Sequence, residues 1–244
     1  MNEPTIIIRD NTDALALEII GILSHILDES KDQPIHIALS GGNTPQKIFR
    51  YFSDHLPGHI PLHRIHFWWG DERCVPPDND ESNYKWAWEL WLGKTHVPRV
   101  NIHRIRGENY PEGEAERYAE EITQYLKRDN GLPRFDFIWL GLGEDGHTAS
   151  IFPDQKHLLY SDELCAVASH PVSGQKRITL TGSVLNHAKL ICFIATGASK
   201  AKVVYEIIRN KNEELPAAHI HPPETIWFLD PPAAQEFLLQ KPES

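Results

Sequence analysis

Short, nearly continuous apolar runs recur along the chain: TIIIR, IHIALSGG, IHFWWGDE, FDFIWLGLG, LICFIATG and TIWFLD. Runs that are apolar on both faces predict strands buried in a parallel sheet, not half-exposed hairpin strands. The stretches between them carry helical spacing. Over 11–29, Leu15, Ile19, Ile22, Leu23 and Ile26 fall on one stripe, with Asp10 or Thr12 as the expected N-cap. Further helices are predicted over 45–52, 83–92, 112–127, 199–209 and 233–239. Alternation of this kind specifies an α/β fold, doubly wound, with a mostly parallel sheet and helices on both faces. No repeat or low-complexity tract interrupts it, and the proline-rich VPPDND and HIHPPET read as loops. A single domain over 1–244 is therefore expected.

The polar residues become distinctive at the strand ends. Four of the runs finish in SGGNTP, GDER, GLGEDGH and TGASK. Ligands of open α/β sheets bind outside the carboxyl ends of the strands, so parallel strands would bring these four loops to one edge. SGGNTPQKIF leaves a strand and opens a helix, with Thr44 placed to cap and Pro45 at the first helical position. Gly41 and Gly42 permit close backbone approach, and free amides at the helix start favour an anion; a plain tight turn has the same glycines. Lys200 of TGASK falls in the first turn of a helix, where the dipole opposes a cation unless an anion is near. In RITLT, Arg177, Thr179 and Thr181 share one face, either lining a phosphate pocket or lying exposed. Asp71, Glu72 and Arg73 cluster after a buried strand, as chemistry or as an ion-pair cap.

GLGEDG matches the spacing of a dinucleotide-binding turn. However, it places Glu144 and Asp145 where a pyrophosphate would sit, and like charges at short range repel. What remains is an acid and a histidine, Asp145 and His147, at a strand end. A histidine there acts as a general base near neutral pH when a carboxylate orients it. No G-x-S-x-G elbow is present.

Composition narrows the partners. With 244 residues, 41% hydrophobic and 24% charged, the chain has material for a sizeable core. A net charge of −10 excludes the broad basic face that nucleic acid or an anionic membrane requires, but not a small anion met by a few local cations. The three cysteines form no C-x-x-C and suit a reducing cytosol. MNEPTIIIRD has no basic n-region, and no run approaches the roughly 20 apolar residues of a membrane helix. A cytoplasmic monomer is expected, with no metal site and no organic cofactor.

Taken together, LSGGNTP, FWWGDERCVPPDNDESNY, LGLGEDGHTASIFP, RITLT, GASKAKVV and the PAA of 216–218 resemble the 6-phosphogluconolactonase family, in the same order and over nearly the whole chain. The resemblance implies a Rossmann-like fold of the sugar-phosphate isomerase/lactonase type. It also implies hydrolysis of 6-phospho-D-glucono-1,5-lactone to 6-phospho-D-gluconate in the pentose phosphate pathway, without metal or cofactor. The phosphate is then expected against Gly41, Gly42 and Thr44, with Arg177 and Lys200 at the family's cationic positions. Asn43 stands where the family often has Ser or Arg, in a loop whose work is mostly done by backbone. His147 becomes the base that activates water, while Asp145 either orients it or shapes the turn. Arg73 either stabilises the oxyanion or contacts the sugar ring, and Asp71 binds sugar hydroxyls. Two alternatives share these motifs: a glucosamine-6-phosphate deaminase/isomerase-like enzyme using Asp71 as base, and a non-catalytic sugar-phosphate-binding protein. The related deaminases carry a glutamate where this chain has Phe152, which favours the lactonase.

Overall fold

The structure is a computed structural model in which residues 4–239 are described. In chain order the first half comprises β1 (Thr5–Ile8), α1 (Thr12–Glu29), β2 (Ile35–Leu39), α2 (Asn43–His55), β3 (Ile65–Trp69), β4 (Asp71–Arg73), α3 (Asn83–Leu90) and α4 (Pro111–Tyr125). The hairpin strands β5 (Arg128–Asp129) and β6 (Leu132–Pro133) follow, then β7 (Phe137–Gly141), β8 (Cys165–Ser169) and β9 (Lys176–Leu180). The chain continues through α5 (Gly182–His187), β10 (Leu190–Ala195), α6 (Ala201–Ile208), β11 (Glu224–Leu229) and α7 (Gln235–Leu239).

Six strands, in the order β1-β11-β10-β7-β2-β3, form one parallel sheet. They are the six apolar runs, and every residue of β2 and β10 is buried, as helices on both faces require. The chain moves outward from β2 to β3 on one side and from β7 to β10 and β11 on the other. The direction of winding therefore switches between β2 and β7. These two strands pair only at Ile37↔Phe137 and Ala38↔Ile138, so their carboxyl ends part and leave a crevice.

Several local expectations change. GDER is not a loop: Asp71–Arg73 forms β4, which leaves the central sheet and pairs antiparallel with β9, which in turn pairs with β8. The N-cap of α1 is Asn11, whose side chain accepts from Ala14 N at 2.9 Å, not Asp10 or Thr12. Its buried stripe is rotated toward Ala16, Ile20 and Leu27, leaving Ile22 and Ile26 only half-buried. Helix α2 starts earlier than Pro45, with Gly42 as N-cap at φ +100° and no side-chain cap, so Thr44 is free for another partner. The sequence reading also missed α5.

The start of α3 is held by a buried carboxylate. Glu72 Oε1 accepts from Arg73 N (2.8 Å) and Asn83 N (2.7 Å); Oε2 accepts from Tyr84 N (2.8 Å) and Ser82 Oγ (3.0 Å). Burial pushes its pKa up to about 7 against the pull of the three amides. The far edge of the sheet carries a histidine stack. His36 and His66 are paired across β2 and β3, and His66 Nδ1 meets His103 Nε2 at 2.9 Å. His103 Nδ1 in turn meets Glu121 Oε1 at 2.7 Å, and Trp68 lies flat on His103 at 3.9 Å. Burial first, then the neighbouring histidines, lower His36 to about 3 and His66 to about 4.

Two outcomes follow from these groups. Glu72→Gln replaces an acceptor of two donors by a donor, whichever way the amide turns. It should cost at least about 2 kcal/mol in urea unfolding at pH 8, at about 1–3 kcal/mol for each group left unpaired. A loss below about 0.5 kcal/mol would show that the cap is dispensable. Because His36 and His66 are lowered on folding, the unfolded chain takes up two protons near pH 6.5 that the folded chain refuses until about 4 and 3. Glu72, raised to about 7, takes up one proton in the opposite sense. Two outweigh one, so the urea midpoint should fall as pH drops from 6.5 to 5; a flat or rising midpoint contradicts the arrangement.

Candidate functional site

The crevice is lined first by the loop after β2. Asn83 Oδ1 occupies the space a side chain at Gly41 would need, lying 1.7 Å from where its Cβ would be, so only glycine fits. Asn83 is 2% exposed, and its Nδ2 donates to Asp71 O at 2.9 Å and to Asp71 Oδ1 at 3.3 Å. One side chain thus joins the glycine loop to β4. On the other side, Thr44 Oγ1 meets Thr196 Oγ1 at 2.7 Å, drawing the loop after β10 against the same glycines. That loop is fixed in turn by Asp230, which accepts from Gly197 N at 2.9 and 3.0 Å. Lys200 closes it, half-buried and without an ion pair among the described residues. The first amides of α2 have no side-chain cap, which favours an anion.

The wall opposite is the β4–β9 pair. Arg73 and Arg177 are direct cross-strand partners. Like charges placed opposite each other repel, and among the described residues the only carboxylate paired with either is Asp71, at the limit of ion-pair distance from Arg177. Arg73 donates to Glu81 O, while Arg177 NH1 lies 3.9 Å from Asp71 Oδ2. The Nε atoms of both are buried with no partner. Burial holds the pKa of Arg177 below the usual guanidinium range, with Asp71 pulling it back up and Arg73 adding to the depression. The Arg177–Thr179–Thr181 face is turned inward, with both threonines fully buried. Asp71 is buried too: Ser150 Oγ donates to its Oδ2 at 2.6 Å and Asn83 to its Oδ1. Neither Asp71 nor Glu72 forms an ion pair with Arg73.

The loop after β7 opens no helix. It folds back, with Gly143 N donating to His147 O at 2.8 Å, so it lacks the geometry of a dinucleotide turn. A Cβ on Gly143 would lie 2.1 Å from His147 Nδ1; the glycine lets the imidazole fold over the turn. His147 Nδ1 is 2.6 Å from Asp145 Oδ1, which also accepts from His147 N at 3.1 Å. Burial would raise the Asp145 pKa, but the hydrogen bond and charge of His147 outweigh it and the pKa is lowered. Asp145 is therefore ionised near neutral pH and accepts only. Nδ1 must donate to it, leaving the Nε2 lone pair available. Beyond the histidine, Ala149 takes φ +48°, a left-handed position that carries Ser150 from the turn to Asp71.

Gly41, Gly42, Thr44, Asp71, Arg73, Asp145, His147 and Arg177 thus belong to one connected set at the crevice, and Lys200 joins it through the Thr196 loop. Asn83 and Ser150 are integral to the set but were not read from sequence, and Phe152 is marked there only by the acid it replaces. SNY and TASIFP were recognisable strings, yet nothing local to them reveals what they touch. Among the described residues, no group of three or more His, Cys, Asp or Glu side chains is placed to hold a metal ion, and no helix is long and apolar enough to cross a membrane.

Residues 9–227 match the family model described as glucosamine-6-phosphate isomerases/6-phosphogluconolactonase. A 6-phosphogluconolactonase of Haemophilus influenzae is 43% identical over 210 residues, covering 84% of this chain and 88% of that protein. Among solved structures, the devB protein superposes with a TM-score of 0.88 at 44% identity, covering 95% of this chain and 98% of its own. The 6-phosphogluconolactonase of Trypanosoma brucei does so with a TM-score of 0.83 at 26% identity, over 96% and 99% of the two chains. With the family match spanning the crevice and all four strand-end loops, the chain belongs to the glucosamine-6-phosphate isomerase/6-phosphogluconolactonase family.

Proposed function

We propose that the protein is a 6-phosphogluconolactonase, hydrolysing 6-phospho-D-glucono-1,5-lactone to 6-phospho-D-gluconate in the pentose phosphate pathway. The observation that carries this reading is the Asp145–His147 pair, a base with Nε2 free, on the same crevice as Arg73, Lys200 and Arg177, the last held only by a long contact to Asp71. The phosphate sits against the α2 amides, Gly41, Gly42 and Thr44, with Arg177 and Lys200 as charge partners. Charge-assisted hydrogen bonds of this kind contribute about 1.5–3 kcal/mol each.

Water attacks the lactone carbonyl carbon while His147 Nε2 takes its proton. The bond from the water oxygen to that carbon forms as the carbonyl π electrons move onto oxygen. Asp145 holds the imidazole in orientation and stabilises its charged form. Arg73 faces the developing oxyanion, a kind of contact that is often the largest single contribution to such a barrier. Collapse of the tetrahedral intermediate breaks the bond to the ring oxygen, which takes the proton back from His147, and the acid product forms. Asp71, with both oxygens already accepting, holds Arg177 and offers its remaining lone pairs to sugar hydroxyls. The chain works as one domain, and its three free thiols suit the cytoplasm.

Fresh lactone and glucosamine 6-phosphate, each offered to the purified protein, test the reaction. Lactone opening above the spontaneous rate is expected; ammonia release, or tight binding without turnover, would overturn the reading. His147→Asn should lower kcat at least about 10²-fold with little change in KM, because the phosphate partners are untouched. Lys200→Ala should raise KM about tenfold with kcat less affected. A folded His147→Asn with near-normal kcat would place the base elsewhere.

A further inference from the structure

The side chain between His147 and Arg177 belongs to Phe152. Its ring is fully buried, with the His147 ring centroid 4.7 Å from its own and the Arg177 guanidinium carbon over it, 5.6 Å from the centroid. His170 meets it edge-on at 5.4 Å. The backbone fixes the ring as firmly as its neighbours do. Phe152 is extended at φ −87° and ψ 158°, as a residue before proline must be, and caps the 3₁₀ turn that begins at Pro153. Two residues earlier, Ser150 N donates to Thr179 Oγ1 at 3.2 Å and Ser150 Oγ to Asp71. Thr179 lies on the same face of β9 as Arg177, so the segment carrying Phe152 is tied to the strand carrying the cation.

The Asp145 hydrogen bond alone leaves the imidazole free to swing about the Nδ1–Oδ1 axis. A wall against the ring removes that freedom. The opposite side of the problem is Arg177, whose buried charge has only a 3.9 Å contact to Asp71 and an Nε with no partner. An aromatic face attracts a cation, whereas an aliphatic side chain of similar volume does not.

We propose that Phe152 is a positioning residue, a shared wall that sets the orientation of the His147 imidazole and of the Arg177 guanidinium at once. The reading rests on the roles given above to His147 as base and Arg177 as anion partner. It deepens them by coupling the reacting end of the substrate site to its anion-binding end through one ring.

Phe152→Leu keeps an apolar side chain and removes the face; Phe152→Met is a second variant of similar volume. Either, once shown folded by near-UV circular dichroism, should lower kcat about tenfold or more and weaken binding of inorganic phosphate, measured by calorimetry, about threefold or more. The decisive readout is the double-mutant cycle. In an Arg177→Ala background the additional loss of phosphate affinity should shrink below about twofold, because the partner through which Phe152 acts is gone. Equal losses in both backgrounds, as a merely structural role produces, overturn the proposal. Should both variants fail to fold, the wild-type protein decides: Phe152 ring protons must show nuclear Overhauser contacts to both the His147 ring and the Arg177 side chain, and absence of either overturns it. Phosphate binding and these contacts do not require turnover. Failure of the wild type to open the lactone would therefore sink the lactonase reading while leaving the Phe152 measurement intact.

Discussion

A parallel sheet covered on both faces leaves polar chemistry only at its ends, and in this chain the separation of β2 from β7 decides which end is used. The two strands pair at only two positions, so the sheet opens where the winding changes direction. Most groups with chemistry to offer come from strand ends near that gap, and Arg177 is brought there by the pairing of β9 with β4. The glycine loop follows β2, the His147 turn follows β7, the Thr196 loop follows β10, and β4 leaves directly from β3.

The gap is bridged by side chains rather than backbone. Asn83 joins the glycine loop to Asp71, Ser150 joins Asp71 to the His147 loop, Thr44 joins Thr196, and Phe152 stands between His147 and Arg177. Glu72 supports the system from below by anchoring the start of α3, which is where Asn83 sits. The residues that contact substrate in the proposed reaction thus depend on others that hold them in place. Several of the latter are buried polar groups whose partners are far away in sequence.

That distance explains what the sequence disclosed and what it hid. Buried strands and the helix phases are local patterns, so the six-stranded sheet could be anticipated from runs such as IHIALSGG and LICFIATG. The strand-end motifs were equally local, and parallel strands place them on one edge without further information. The pairing of β4 with β9 joins Asp71 to Thr179, and three residues of GDER give no alternating signal to announce it. Ser150 reaches Asp71 across 79 positions. Phe152 stands out in the sequence only as the place of a missing acid, and its contacts with His147 and Arg177 are not legible there. His36, His66 and His103 were three of fourteen histidines until the strands stacked them.

Arg73 and Arg177 facing each other across β4 and β9 have a consequence for the life of the protein outside its reaction. The fold holds two cations against each other, a conflict that Asp71 offsets only in part and that a bound anion relieves further. Any anion that binds between them adds a stabilisation that grows with its concentration as RT ln(1 + [L]/Kd). Resistance to unfolding would then rise with the concentration of such an anion, independently of whether the anion is turned over.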